Sequence, residues 1–276
     1  NVSAFRVFYV TAGGRTNTIR NMTVKGGNPP SEGGGIVNSS GTLVLESVAV
    51  TQSGGSGYGG GGVVNDTGTL YMRDCTISRN TAKNGGGFIN LGAGAKLFIE
   101  RCTLSENRCM TSWGGGAGEN KAGLYVNNST FANNESIELG GAINNYGGTA
   151  YFVGCTFVGN MAYGSCTGGA IAHHGGTVTL VNSLFSYNYH NSSGTYVLDD
   201  VNFLSGTAPL AFGCVFHSAT NQLGVGSLSN TLYAGNSTGS DDALFTGGAA
   251  TRVRAEDGTE TGAATFYLPY LARAGS

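Results

Sequence analysis

The side chains best suited to chemistry in this chain are an acidic pair, Asp199-Asp200, and a histidine pair, His173-His174. Hydrolysis of a glycosidic bond needs two carboxyl groups, one of which acts as the acid and the other as base or nucleophile. A lyase needs a base to take a proton from the substrate. The four residues are therefore the candidate catalytic set of a polysaccharide-cleaving enzyme.

These elements resemble part of the polygalacturonase-type hydrolases, which carry an Asp-Asp pair and a His-Gly element. Here His173-His174-Gly175 precedes the acidic pair, whereas that family has the reverse order, and its Asn-Thr-Asp and Arg-Ile-Lys elements are absent. The sequence therefore favours a protein that is not an enzyme, with a polysaccharide lyase or glycoside hydrolase as the alternative.

Composition argues against several other functions. Only 11% of the 276 residues are charged and the net charge is −2, so no basic face is available to neutralise nucleic-acid phosphates. No Cys-x-x-Cys spacing occurs, so neither a metal site nor a cofactor is predicted. No apolar run reaches the roughly 18 residues of a transmembrane helix, so no transmembrane segment is predicted.

The six cysteines fall into two groups. Cys109 and Cys166 lie in variable loops two repeats apart and are a candidate disulfide pair. The other four share one column of the repeat, in which Ser129 and Ser183 also stand, and are predicted to be small buried residues: Cys75, Cys102, Cys155 and Cys214.

Aromatic residues and glycosylation motifs indicate a surface role. The aromatic residues are predicted to form a contact strip for a glycan or a protein: Tyr58, Trp113, Tyr163, Tyr187 and Tyr189. The chain also carries nine Asn-x-Ser/Thr motifs, which indicate a secreted glycoprotein or arise by accident in a chain rich in these residues: Asn1, Asn21, Asn38, Asn65, Asn127, Asn128, Asn134, Asn191 and Asn236.

All these groups must be positioned by a repeat that runs through most of the chain. One apolar column recurs at spacings of 27, 27, 27, 26 and 28 residues: Leu43, Leu70, Leu97, Leu124, Ala150 and Val178. A second apolar column runs Val50, Ile77, Leu104, Phe131, Phe157, Phe185 and Phe216. A polar column is predicted to pass side-chain hydrogen bonds along a stack and to adopt the left-handed conformation at a corner: Asn80, Asn107, Asn134, Asn160 and Asn188.

The repeat predicts a solenoid of strands. Glycine accounts for 49 of the 276 residues, and the short alternating runs between glycines exclude a helical solenoid. We predict an all-β chain that folds as a single-stranded, right-handed parallel β-helix of the pectin-lyase-like type, with about nine coils of roughly 27 residues. Residues 1–16 would form an entry strand or N-terminal cap, residues 17–219 the coils, and residues 220–276 the last coils and a capping or docking tail.

Two outward ladders are also predicted. Glu46, Arg73 and Glu100 share one corner position, which indicates a surface ladder of alternating charge. An outward row of threonines raises ice binding as a further alternative, which the broken second row of Ser78 and Ser105 disfavours: Thr76, Thr103, Thr130 and Thr156.

Two recurring motifs carry a more specific resemblance. Phe131-Ala-Asn-Asn134, Phe157-Val-Gly-Asn160 and Phe185-Ser-Tyr-Asn188 fit F-x-x-N, and Gly140-Gly-Ala-Ile143 and Gly168-Gly-Ala-Ile171 fit G-G-A-I. Together they resemble the repeats of the bacterial polymorphic membrane proteins and related surface β-helix proteins. The resemblance covers roughly residues 17–190 and implies an extracellular, surface-displayed, adhesin-like protein.

The sequence therefore predicts a non-enzymatic protein of the cell surface or extracellular space. Its role would be that of an adhesin or of a structural, filament-forming and glycosylated subunit. Its partners would be further copies of itself, stacked end to end, or a glycan or protein on a host or cell surface.

Overall fold

The computed structural model describes residues 4–30, 32–57, 59–111, 113–164 and 168–218, and the backbone of three short strands further along the chain. These residues form a parallel β-helix, and no α-helix occurs among them. One register position passes through eight rungs: Phe8, Ile36, Val63, Phe88, Gly118, Ile143, Ile171 and Val201. The described chain thus makes seven turns, fewer than the nine or so coils predicted.

The first two rungs are long bent strands, β1 (Phe8–Lys25) and β2 (Ile36–Thr51). Each of the next five coils has four short strands: β3 (Val63–Asn65), β4 (Thr69–Arg73), β5 (Thr76–Ser78), β6 (Thr81–Ala82); β7 (Phe88–Asn90), β8 (Lys96–Glu100), β9 (Thr103–Ser105), β10 (Arg108–Cys109); β11 (Gly118–Asn120), β12 (Gly123–Asn127), β13 (Thr130–Ala132), β14 (Glu135–Ser136); β15 (Ile143–Asn145), β16 (Thr149–Val153), β17 (Thr156–Val158), β18 (Met161–Ala162); β19 (Ile171–His174), β20 (Thr177–Val181), β21 (Leu184–Ser186), β22 (Tyr189–Ser192).

The last described coil is less regular. A hairpin strand, β23 (Thr195–Leu198), pairs antiparallel with β22 before the chain returns to the stack. The remaining strands are β24 (Val201–Ser205), β25 (Leu210–Phe212), β26 (Val215–Phe216), β27 (Leu232–Tyr233), β28 (Val253–Arg254) and β29 (Glu260–Thr261). At the other end, β1 runs across the predicted boundary at residue 16. Apart from β27, β28 and β29, the predicted tail 220–276 lies outside the described residues.

The bends between strands depend on residues with positive φ, at which a side chain is strained. The bend after β4 has Asp74 at φ 53° and the bend after β5 has Arg79 at φ 55°. The structure therefore corrects one prediction about the Asn column. The left-handed residue is the one before the ladder asparagine, such as Arg79 before Asn80, and the asparagine itself is fully buried.

The interior is filled by stacked columns of apolar side chains. Phe131, Phe157, Phe185 and Phe216 are fully buried, and the ring centroids of successive members lie 4.7 Å apart. This distance equals the strand spacing of a sheet, so each phenylalanine of the F-x-x-N motif packs directly on the next.

The glycines at the start of each first strand permit a thin cross-section. A Cβ atom on Gly61 would lie 2.6 Å from the carbonyl oxygen of Thr81, and one on Gly87 would lie 2.6 Å from that of Ala117. Backbones on facing and successive strands therefore touch there, and any side chain would force them apart.

The predicted Asn column is a continuous buried hydrogen-bond ladder. In each step the Nδ2 of one asparagine donates to the Oδ1 of the next at 2.9–3.0 Å, from Asn80 to Asn188. The same Nδ2 also donates to a backbone carbonyl, as Asn107 does to Ile77 at 2.8 Å. On the outside, the charge ladder is confirmed, because Arg73 lies 3.6 Å from both Glu46 and Glu100.

Candidate functional site

The predicted acidic pair is built into the scaffold. Asp200 is fully buried at the end of the Asn ladder, where its Oδ1 accepts from Asn188 Nδ2 and its Oδ2 from the backbone N–H of Ser218, both at 2.9 Å. Burial raises the pKa of Asp200 to about 6. Asp199 accepts from the N–H of Gly168 at 2.9 Å and lies 3.0 Å from His190 Nδ1. Both aspartates thus hold parts of the scaffold together through these contacts.

The predicted histidines have separate surroundings. His173 is fully buried, with Nδ1 at 3.2 Å from Asn145 Nδ2 and Nε2 at 2.8 Å from the carbonyl oxygen of Thr207. Burial lowers its pKa. His174 points to the opposite side of the strand, where its ring meets Tyr146 edge-on at 4.9 Å. The four residues of the alternative catalytic set are therefore divided between different ladders and faces.

His173 terminates a second buried ladder that the sequence pattern did not predict. Side-chain amides of successive asparagines bond at 2.7–2.9 Å in this ladder: Asn38, Asn65, Asn90, Asn120 and Asn145. The ladder lies between the first and second strands of each coil. Each ladder thus ends in a polar residue other than asparagine: Asp200 ends the first ladder and His173 ends the second.

The four described residues of the predicted aromatic strip do not form one strip. Trp113 stands on the loop after β10, and Tyr163 directly follows β18. Tyr187 occupies a positive-φ bend against the His217 ring, and Tyr189 lies in β22 beside Met161. They occupy four different positions of the coil, and Tyr58 lies outside the described residues.

The structure instead shows an aromatic column on the outer face of the second strands. Tyr71, Phe98, Tyr125 and Tyr151 occupy one register position in β4, β8, β12 and β16. Their ring centroids are 4.8, 4.9 and 5.6 Å apart and their planes are within 14° of parallel. The same 27, 27 and 26 residue spacing is visible in the sequence, so this column was predictable.

A polar row flanks the aromatic column two residues further along three of the four strands, whereas β16 has Val153 at this position. It consists of Arg73, Glu100 and Asn127, and the Arg73 guanidinium also lies 5.2 Å from the centre of the Tyr71 ring. The column and the row line an open groove of about 460 Å³. The groove offers ring edges on one side and hydrogen-bonding groups on the other, which suits a ligand that is both apolar and hydroxylated.

The comparisons with known proteins agree with the fold. A family model described as the right handed beta helix region matches residues 7–185, more than half of the chain. The chain belongs to the right-handed β-helix family. Searches of curated proteins and of solved structures found no match.

The cysteines of this β-helix are free, buried thiols wherever they are described. Burial raises the pKa of Cys155 to about 12, which keeps that thiol protonated. Cys109 is fully buried and its Sγ donates to the carbonyl oxygen of Lys83 at 3.0 Å. Its predicted disulfide partner, Cys166, lies outside the described residues.

The β-helix offers only some of the predicted glycosylation sites. Asn38, Asn65 and Asn134 are fully buried in the two ladders, so the prediction is wrong at these positions of the folded chain. Asn21 and Asn127 are exposed, whereas Asn128 and Asn191 are half-buried. A glycan on Asn127 would stand in the groove. Asn1 and Asn236 lie outside the described residues.

The described part of the β-helix contains neither a cluster of metal ligands nor a membrane-spanning helix. No group of three or more His, Cys, Asp or Glu side chains there is arranged to hold a metal ion. None of its elements is a helix of the length and apolar character needed to cross a bilayer.

Proposed function

We propose that this protein is a non-enzymatic, extracellular β-helix that binds a glycan along the aromatic column, in the manner of a surface adhesin. The observation that carries the proposal is the groove itself, in which rings on four consecutive coils run beside polar side chains on three of them. Sugars contact proteins through both C–H and hydroxyl groups, and the groove offers apolar ring edges for the first and polar side chains for the second.

The position of the groove supports binding to a chain rather than to a single small molecule. The column crosses three coil spacings of about 4.8 Å each, which gives an aromatic track of roughly 15 Å along the rod. The rings stand on strands whose opposite faces are buried in the core, so little side-chain freedom is lost on binding. An extended oligosaccharide lying along the rod would contact every ring.

Surface display is part of the proposal and is supported by the F-x-x-N and G-G-A-I motifs. In the structure these motifs supply the Phe stack, the Asn ladder and the close-packed strand starts. They resemble repeats of bacterial surface proteins, which is the basis for an extracellular location. End-to-end assembly into filaments remains a prediction of the sequence. The enzyme alternative loses its support, because the predicted catalytic residues do not share a site.

Affinity electrophoresis tests the proposal. Protein made in a host without N-glycosylation would be run through gels that contain one of a panel of neutral and acidic polysaccharides. We expect at least one polysaccharide to retard the wild-type protein and Tyr151→Ser to abolish the retardation. Tyr163→Ser is the matched control, because Tyr151 and Tyr163 are 41% and 44% exposed and only Tyr151 lines the groove.

Three results would overturn the proposal. They are a wild-type protein that no polysaccharide retards, a Tyr151→Ser variant that is retarded as strongly as the wild type, and an equal loss in both variants. Circular dichroism of the two variants would verify that the β-structure is retained.

A further inference from the structure

A second aromatic cluster lies at the ends of β15 and β19 and on the loop before β11, and none of its residues lines the groove. Trp113, on the loop between β10 and β11, is 57% exposed. Its ring lies nearly parallel to that of His174, at 18° and 6.4 Å between centroids. Tyr146, 41% exposed, meets His174 at 89° and 4.9 Å. The three rings form an apolar corner whose outer surfaces are open to solvent.

A positively charged side chain, that of Lys121, lies beside this corner. The Lys121 ammonium lies 5.5 Å from the centre of the Tyr146 ring and 3.2 Å from Glu119 Oε1. The Lys121 side chain is 32% exposed and that of Glu119 only 2%. Burial raises the pKa of Glu119. The charged group that faces solvent at this corner is the Lys121 ammonium, because the Glu119 side chain is almost completely buried.

Buried polar side chains lie beneath the corner, and one of them, Asn144, holds the Trp113 loop in place. Asn144 is fully buried, and its Nδ2 donates to the backbone carbonyl of Trp113 at 2.8 Å, which fixes the loop that carries the indole. Within the described residues, Asn144 Oδ1, Glu119 Oε2 and His174 Nδ1 are buried atoms without a hydrogen-bond partner. Unpartnered buried polar atoms are costly, and three of those in the described residues lie beneath this corner. Such a concentration is typical of a site that has a function other than stability.

Lys121, Tyr146 and His174 follow the ladder residues Asn120, Asn145 and His173 by one position each. They therefore form one outward column over three coils, with the cation at one end and the stacked His174–Trp113 pair at the other. The aromatic surface suits the face of a sugar ring, and the ammonium suits an anionic substituent on the same ring or its neighbour.

We propose that Trp113, Tyr146, His174 and Lys121 form a binding site for a sugar that carries a carboxylate, with Lys121 pairing with the carboxylate and the rings packing on the sugar. We call these four residues and Glu119 the Trp113 cluster. The proposal does not rest on the groove, because the cluster uses the ends of β11, β15 and β19 and the loop before β11. Glu119 acts here as a positioning residue that holds Lys121 in place.

Calorimetric titration with uronic-acid oligosaccharides tests this site. The panel would contain oligomers of galacturonic, glucuronic, mannuronic and guluronic acid, each also as its methyl ester, which has no charge. We expect at least one acid to bind about tenfold more tightly than its ester. We expect Lys121→Met, which keeps the aliphatic stem over Tyr146, and Trp113→Ala each to weaken that binding by about tenfold or more.

Three further variants show whether both the charge of Lys121 and its place in the cluster matter. Lys121→Arg retains the charge and is expected to retain binding within about threefold. Lys25→Met removes an exposed lysine on the first rung and should not change affinity. Tyr151→Ser, in the groove, shows whether an acidic sugar binds at the groove rather than at the Trp113 cluster. Thermal unfolding of Lys121→Met and Lys121→Arg would show whether loss of the Glu119 partner affects the fold.

Equal binding of an acid and its ester would overturn the proposal, as would absence of binding to every member of the panel. Unchanged affinity in both folded variants Lys121→Met and Trp113→Ala would overturn it too. Loss of acid binding in Tyr151→Ser with retention in Trp113→Ala would transfer the acidic sugar to the groove. That result contradicts the Trp113 cluster and leaves the proposed function intact.

Discussion

Asp200 shows how a single buried carboxyl group can end a ladder of amides. Each ladder asparagine needs an acceptor on the next coil, and the last one, Asn188, finds it in Asp200 Oδ1. An ionised aspartate only accepts hydrogen bonds, so the ladder can end there without a further acceptor. The cost is a carboxylate in a fully buried position, and its pKa rises to about 6 as a result.

This raised pKa predicts the sign of a pH effect. Between the unfolded pKa of 3.8 and the folded pKa of about 6, the native state holds a proton that the unfolded state releases. The contribution of Asp200 to the free energy of unfolding is therefore complete below the lower value and is lost as the pH rises through the higher one. The loss is on the order of 3 kcal/mol.

Urea unfolding at a series of pH values from 4 to 7 measures this effect. We expect Asp200→Asn to remove most of the fall in stability that the wild-type protein shows across this interval. The buried Glu119, whose pKa is also raised, and the buried His173, whose pKa is lowered, would leave residual slopes of opposite sign. Identical pH profiles for the two proteins would contradict the assignment.

At the scale of elements, the two ladders show what the sequence can and cannot predict. The first ladder has nearly constant spacings of 27, 27, 26 and 28 residues between its asparagines. The second has spacings of 27, 25, 30 and 25, because the loops between its members differ. Strand columns with near-constant spacing are predictable, whereas columns displaced by loops of variable length are not.

The aromatic column and the Trp113 cluster differ in the same way in how far the sequence predicts them. The aromatic column follows the regular spacing, but it occupies outward positions of strands whose inward positions carry the more obvious apolar pattern. The Trp113 cluster joins residues 61 positions apart, Trp113 and His174, which only the packing of a loop on the stack brings together. The placement of the alternative catalytic residues was not visible in the sequence, because Asp200 and His173 end different ladders on neighbouring coils.

The Asn ladder is expected to be a major source of stability. Asn107 donates to Ile77 and Asn134 and accepts two hydrogen bonds from Asn80. Asn107→Ala would leave several buried groups without partners, so we expect the free energy of unfolding to fall by about 3 kcal/mol or more. Urea unfolding measures the change, and Asn127→Ala, at an exposed position, is the matched control. A loss below about 1 kcal/mol for Asn107→Ala would contradict this role.

The whole molecule behaves as a stack in which each coil contacts only its neighbours. Glu135 and Met161 occupy equivalent positions on successive coils. Deletion of residues 135–160 would therefore remove one complete coil. Phe131 would then stack on Phe185 and Asn134 would bond to Asn188, as their present neighbours on the deleted coil do.

We expect this deletion variant to fold into a rod about 4.8 Å shorter, which small-angle scattering and circular dichroism would show. Deletion of residues 135–161, one residue more, moves the next strands out of register and turns core side chains outward, so it should not fold. Equal behaviour of the two deletion variants, folded or unfolded, would contradict the register described here.

The rod has a separate role for each of its surfaces. Inside the rod, asparagine side chains bond in ladders and phenylalanine rings pack in a stack. The outer face of the second strands carries exposed rings beside polar side chains. A rigid scaffold with an aromatic track fits binding better than catalysis, because among the described residues the carboxyl groups predicted to act together are used to close ladders and bends.

The most direct test of the central claim is to observe the aromatic side chains during a glycan titration. Carbon–proton NMR spectra of the rings would be recorded as the polysaccharide fragment selected by electrophoresis is added. We predict progressive shifts of the Tyr71, Phe98, Tyr125 and Tyr151 resonances and none for the buried Phe131, Phe157 and Phe185 stack. Binding that leaves the four groove rings unshifted would contradict the account.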